Sequence, residues 1–266
     1  MQWLKKVLDY IVNKLFLELK DIQVITEATP PPVTPPRPKP SPVDRPSNPI
    51  NEDWIPFARQ VNPKMSTQGK YSLGHPEGAV IHYTSGRDAT DKDALGSLEW
   101  GRESGFAYLT IAPSGMVYQA HPVTRWGHHA GVSKWSGLGE GVSQKLIGIE
   151  IACAGSLKKD GDFFKPWFNA TYSEKDVRFV TEEAYGCPTG WYKKYTKEQE
   201  ESLLEVLMWL KNNNPKIFDF DKVLGHHEVS GRVGLGYWRK IDPGGSLSMP
   251  MREYREYLKK LYISRD

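Results

Sequence analysis

The stretch GHHEVSGRVGLGYWRKIDPGG, residues 225–245, places His226, Lys240 and Asp242 on one glycine-punctuated segment. An Asp-Pro-Gly turn folds without a lysine two residues ahead of it, so these residue types ask for another explanation. Upstream, His82 ends the apolar run AVIH, and Glu150 stands between Ile149 and Ile151 in LIGIEIA. Together His82, His226 and Asp242 offer two imidazoles and one carboxylate, a set that holds a catalytic zinc ion and leaves its fourth position open. Zinc so held brings the pKa of a bound water down to about 7 and polarises a carbonyl. Glu150 would accept the water's proton, and Lys240 would stabilise an oxyanion. These are the parts needed for amide hydrolysis. Spacing alone leaves a second reading open: the three ligands form no local motif, and a histidine pair in a loop can be a satisfied structural pair.

Strand alternation decides where these side chains point. Ile81 and Tyr83 share one face, so His82 leaves on the other, and Gly148, Glu150 and Ala152 likewise turn away from Ile149 and Ile151. A carboxylate among isoleucines is costly unless it is paired, hydrogen-bonded or open to a cleft, which singles out Glu150 among the acids. The predicted strands lie in GAVIHYTSG (78–86), in FAYLTIAPSGMVYQ (106–119) on either side of a turn at Pro113 to Gly115, and in KLIGIEIACAG (145–155). Helix signals alternate with them. Thr90 caps a segment with Leu95 and Leu98, and Ser173 caps one with Val177 and Val180 that stops at Gly186. Thr196 and Gln199 form a capping box ahead of Leu203, Leu207 and Leu210. Pro250 suits the first turn of a last helix with Met251, Tyr254, Leu258 and Leu261. Strands interleaved with capped helices predict an α/β layer domain.

The whole chain has 266 residues, 39% of them hydrophobic and 12% aromatic, enough for one large domain or two small ones. A net charge of +3 is too small for a dedicated nucleic-acid binder. Cys153 and Cys187 match no zinc spacing and read as small buried hydrophobes. No apolar run reaches the length of a transmembrane segment. The opening MQWLKKVLDYIVNKLFLELKD breaks its hydrophobes with Asp9, Lys14 and Glu18, so no signal peptide is recognised. Leu4, Leu8, Ile11 and Leu15 instead predict an amphipathic helix within residues 1–24 that docks on a protein partner or on copies of itself. Ten of the twenty residues from Pro30 to Pro49 are proline, which makes residues 25–52 an extended, semi-rigid linker. Residues 53–266 then form the globular, catalytic domain.

The motifs AVIHYTSG, YLTIAPSGMVYQ, WGHHAGVS, LIGIEIA and GHHEVS…RKIDPG occur in the order seen in zinc-dependent N-acetylmuramoyl-L-alanine amidases. That amidase type 2 family includes phage endolysins and is similar in fold to the peptidoglycan recognition proteins. The resemblance covers roughly residues 75 to 262. It implies an α/β fold with a central mixed β-sheet flanked by α-helices, and Zn2+ held by His82, His226 and Asp242. It further implies Glu150 and Lys240 as catalytic residues, peptidoglycan as the substrate, and His129, Tyr108 and Trp126 as its binding residues. The bond cut would be the amide between N-acetylmuramic acid and L-alanine of the stem peptide. A chain made in the cytoplasm would then act on the cell wall after release, or after delivery by a virion, holin or secretion machine.

The sequence departs from the family in three places. The loop SGRVGLGYW lengthens the connection between His226 and Lys240, and Ala107 stands where some phage members carry a tyrosine near the metal. The aromatic insertion from Ser156 to Tyr195 either walls the substrate groove, with Trp167, Trp191 and Tyr192 stacking on sugars, or forms a satellite hydrophobic cluster. His128 and His227 are expected as supporting or solvent-facing neighbours of the site. His75 and His121 are expected at the surface, and Arg232 and Arg239 are candidate clamps for peptide carboxylates. Two other functions stay open: a peptidoglycan-binding module without catalysis, and a zinc peptidase cutting within the stem peptide.

Overall fold

The computed structural model describes residues 54–61, 69–104, 106, 109–230 and 239–264. The expected amino-terminal helix and proline-rich linker, Tyr108 and Arg232 all lie outside these residues. In chain order the strands are β1 (Arg59–Gln60), β2 (Gly69–Lys70), β3 (Ala79–Tyr83), β4 (Leu109–Ile111), β5 (Val117–Gln119), β6 (Arg125–Trp126) and β7 (Lys134–Trp135). There follow β8 (Gly139–Glu140), β9 (Ile147–Ile151), β10 (Ser156–Asp160), β11 (Phe163–Lys165), β12 (Val177–Val180), β13 (Gly190–Lys193) and β14 (Val223–Gly225). The α-helices are α1 (Asp91–Glu103), α2 (Glu182–Tyr185), α3 (Lys197–Asn213), α4 (His226–Ser230) and α5 (Met251–Ile263).

Six strands form the main sheet in the order β1-β5-β4-β9-β3-β14. Only the β4–β5 pair is antiparallel; the other four are parallel, so the sheet is mixed as expected. Alternation along the central strands separates two cores. One face carries Ile81, Ile149 and Ile151 into a core shared with Leu98 of α1, Leu207 of α3 and Leu258 of α5. The opposite face carries Val80 and Leu224 against Ala130, Val142 and Leu146. His82, two residues after Val80, therefore emerges on this second face, at the carboxyl end of its strand.

The helix signals at Thr90 and Thr196 act as the sequence predicts. Each hydroxyl accepts a hydrogen bond from the backbone three residues on, while Asp93 or Gln199 returns the bond to the cap; such a cap contributes about 1 kcal/mol. Gln199 also reaches into the sheet, where its amide donates to the carbonyl of Ala152 at 2.7 Å.

The expected helix through Val177 and Val180 is instead strand β12, and the only α-helical turn there is the short α2, capped by Thr181 and ended by Gly186. The valines at positions 177 and 180 fit a helical spacing, but β-branched Val177 and Val180 and aromatic Phe179 suit a half-buried strand. β12 pairs with β13 across a four-stranded sheet ordered β11-β10-β13-β12. Leu157, Phe164 and Val177 of this sheet pack with Tyr172 and Trp191, so the insertion builds a hydrophobic cluster of its own.

Candidate active site

Three neighbouring strands place a row of polar side chains on the second face. His82 of β3 pairs in register with Glu150 of β9, and Glu150 pairs with Thr110 of β4. On the other side, β14 runs parallel to β3 and delivers His226 directly after Gly225. Helix α5 anchors that end of the chain: Arg255 donates two bonds to the Glu228 carboxylate, at 2.8 and 3.0 Å, and Glu228 accepts the Gly225 backbone N–H at 2.8 Å. Asp242 arrives from the described segment that begins at Arg239, and its carbonyl accepts the His227 backbone N–H at 3.0 Å.

These elements bring three ligand-type atoms together. Nδ1 of His82 lies 2.8 Å from Oδ2 of Asp242 and 3.0 Å from Nδ1 of His226, and the latter is 3.0 Å from the same carboxylate oxygen. All three residues are buried. The outer hydrogen bonds fix the tautomers. His129 Nε2 faces the Leu146 carbonyl at 2.9 Å and must donate to it. Its Nδ1 is then left to accept from His82 Nε2, 3.0 Å away, which leaves a lone pair on His82 Nδ1. His226 Nε2 likewise donates to the Ala130 carbonyl at 3.2 Å, so in the neutral ring its Nδ1 is also a lone pair.

Two imidazole lone pairs and a carboxylate oxygen thus converge, with no donor hydrogen between them. Such a trio repels itself unless a cation sits among its members. Atoms bound at about 2.0–2.1 Å to a tetrahedral zinc lie roughly 3.3 Å apart, within a few tenths of an ångström of the separations seen. His82, His226 and Asp242 therefore fit a zinc ion, and the carbonyl-anchored imidazoles are the outer support such sites use.

The electrostatics agree with this geometry. Burial, with the neighbouring His226, lowers the His82 pKa to about 4, so the ring is neutral near pH 7. Burial foremost, then His82, pushes His129 well below its ordinary value. Although burial opposes it, the two histidines hold the Asp242 carboxyl far below the usual carboxylate range. Glu150 moves the other way: burial, then the Asp242 carboxylate, raises it to about 8, with Lys240 opposing.

Gly148 makes room for the outer support. It lies two residues before Glu150 on the same face, and a Cβ there would stand 2.6 Å from Cγ of His129.

A cleft of about 1100 Å3 opens over this centre. Its lining includes His82, His129, Glu150, His226, Lys240 and Asp242, so six of the eight residues singled out from the sequence share one cavity. Of the other two, Tyr108 is outside the described residues. Trp126 is half-buried on β6, where its ring meets His128 edge-on at 5.4 Å, and it is not among the cleft-lining residues described. Arg239 lines the cleft and donates to the Val132 carbonyl at 2.9 Å.

Other expectations are corrected. Tyr192 is 1% exposed and packs with Val180 and Cys187, so it is not free to stack on a sugar. His121 is 2% exposed rather than at the surface, its Nδ1 3.0 Å from the Pro122 carbonyl. His227, by contrast, takes the supporting one of its two expected roles: it is buried, with Nδ1 donating to the Asp242 carbonyl at 3.1 Å.

Sequence reasoning missed one wall of the cleft. Helix α1 presents Lys92, Gly96, Ser97 and Trp100 to the cleft, while Ala94 and Leu98 face the core. Trp100 is 68% exposed. The recurrence of Lys92, Gly96 and Trp100 every four residues marks that face, but a helix read only for its apolar stripe does not reveal it.

Comparison with known proteins follows the same line. Residues 72–245 match the sequence profile described as "N-acetylmuramoyl-L-alanine amidase". None of the curated proteins matches the chain significantly. Among solved structures, a selenomethionine derivative of AmpD is 21% identical over 74% of this chain and 92% of its own, with a TM-score of 0.47. The amidase AmiD from E. coli is 18% identical, covering 72% of this chain and 61% of its own, with a TM-score of 0.45. The endolysin LysCS from Clostridium intestinale is 16% identical over 78% and 98%, with a TM-score of 0.42. The assignment rests on the profile, whose match takes in both histidines, Glu150, Lys240 and Asp242 across well over half of the 266 residues. The chain belongs to the N-acetylmuramoyl-L-alanine amidase family.

Proposed function

We propose that this protein is a zinc-dependent peptidoglycan amidase that hydrolyses the bond between the lactyl group of N-acetylmuramic acid and L-alanine of the stem peptide. The observation that carries the reading is the convergence of three acceptor atoms, from His82, His226 and Asp242, beside a buried carboxylate in one open cleft. When bound there, zinc supplies a Lewis acid that polarises the amide carbonyl and acidifies a water.

The remaining chemistry belongs to the chain. Glu150 accepts the proton of the attacking water and passes it to the departing amine; a carboxyl whose proton affinity burial has raised is suited to both steps. Lys240, on the cleft wall, stabilises the developing oxyanion. His129 holds His82 in the tautomer that presents Nδ1. Trp100 and Arg239 flank the site, where an aromatic face suits a sugar ring and a guanidinium suits a stem-peptide carboxylate. A binding module has no use for a buried carboxylate beside a closed ligand trio, and this favours the enzyme.

Residues 1–24 act in this scheme as a docking or self-associating helix, with 25–52 as the spacer carrying the catalytic domain to the wall. A peptide of residues 1–50 that is monomeric and captures no partner would count against that part. For the reaction, a soluble N-acetylmuramoyl-L-alanyl peptide is incubated with the zinc-loaded protein and the release of free α-amino groups is followed. Release that stops with chelator and returns with zinc supports the reading; no release with zinc present rejects it.

A further inference from the structure

The floor of the cleft holds two buried polar atoms with no hydrogen-bond partner among the described residues: Oε2 of Glu150 and Oγ1 of Thr110. They belong to cross-strand neighbours, since Thr110 of β4 stands opposite Glu150 of β9, and both residues line the cleft. Thr110 is 0% exposed and sits between Leu109 and Ile111, both fully packed. Packing alone would be served by valine, which has the same shape and no hydroxyl to leave unsatisfied. A buried hydroxyl kept at that cost calls for a ligand of its own. Side chains paired across adjacent strands stand side by side on backbones about 4.8 Å apart, close enough for one water to bond to both groups.

We propose that Thr110 is a positioning residue for Glu150: its hydroxyl and Oε2 hold a water between them, which fixes the carboxyl group with Oε1 turned toward the ligands His82, His226 and Asp242. The threonine acts through Glu150 and does not touch the substrate. Its contribution is to the rate of the chemical step, because a carboxyl that can swing spends less time in the productive orientation. This rests on the amidase reading above.

The test compares Thr110→Val and Thr110→Ser in the full-length chain, on the soluble muramyl peptide with saturating zinc. Thr110→Val is expected to lower kcat about tenfold with KM unchanged, and Thr110→Ser to restore most of the rate. Without metal, Thr110→Val should unfold close to the wild-type temperature, since valine keeps the shape that packs between Leu109 and Ile111. A Thr110→Val protein with wild-type kcat overturns the proposal, as does a loss confined to KM. A lowered melting temperature that Thr110→Ser does not recover would make the residue a packing element and also overturn it. An inactive wild type would reject the amidase reading itself; an active wild type with an equally active Thr110→Val would reject only this inference.

Discussion

His82 Nε2 donates to His129 Nδ1 at 3.0 Å, and that one bond decides which nitrogen His82 turns toward Asp242. His129 is itself fixed by the Leu146 carbonyl. A chain of two hydrogen bonds thus runs from a backbone carbonyl to the metal-binding position. Replacing His129 with phenylalanine keeps the ring and removes the acceptor. Zinc affinity should fall about 10- to 100-fold, as measured by competition with a chromophoric chelator. Unchanged affinity would mean that His82 holds its tautomer without this support.

The same support depends on a missing side chain. Gly148→Ala places a Cβ 2.6 Å from the His129 ring, and with Gly148 buried in its strand it is the ring that has to shift. The variant should lose about 1–3 kcal/mol of stability and weaken zinc binding together. Urea denaturation reads the first effect and chelator competition the second. A variant as stable as wild type would show that the ring moves aside freely.

Glu150 and the ligand trio should separate cleanly under mutation. Glu150→Gln keeps the shape but accepts no proton, so kcat should drop at least about 100-fold while zinc binding stays near wild type. His82→Ala, by contrast, should abolish both. Single-turnover rates and metal content by mass spectrometry distinguish the two. A Glu150→Gln enzyme with substantial activity would move the proton-transfer role elsewhere.

His121 offers a pH test away from the metal. Burial, reinforced by Arg125 and opposed by the bond to the Pro122 carbonyl, lowers its pKa to about 4 from an ordinary 6.5. The folded state therefore favours the neutral ring. That contribution to stability is complete above pH 6.5 and is lost as pH falls toward 4. With chelator present throughout, wild type should lose a few kcal/mol more stability than His121→Gln between pH 7 and 4.5. Parallel stability profiles for the two proteins would contradict the assignment.

Much of this site was legible because strand alternation is local and rigid. Ile81 and Ile149 face one core, so His82 and Glu150 had to share the other side, and they do, in direct register. The cap at Thr90 and the capping box at Thr196 were equally readable, each being complete within four residues. What sequence could not supply was anything set by packing between distant segments. Val177 and Val180 carry a helical spacing, yet pairing with β13 makes them a strand. Tyr192 is buried because the insertion closes on its own cluster and on Gly244 and Gly245. Trp126 lies in the same motif as His129 but ends beside His128, since the short β2–β6 pair holds it there. Thr110 gave no signal at all, because a threonine in a strand is ordinary until its neighbour is known to be Glu150.

The central claim is tested most directly by the bond that is cut. Purified peptidoglycan sacculi are digested with the zinc-loaded protein in water enriched in 18O, and the products are analysed by mass spectrometry with and without chelator. The account predicts free stem peptides beginning at L-alanine and one 18O atom in the lactyl carboxylate of muramic acid, both lost on chelation and regained with zinc. Shortened stems still attached to muramic acid, with the label at a peptide carboxylate, would contradict it and make the protein a peptidase.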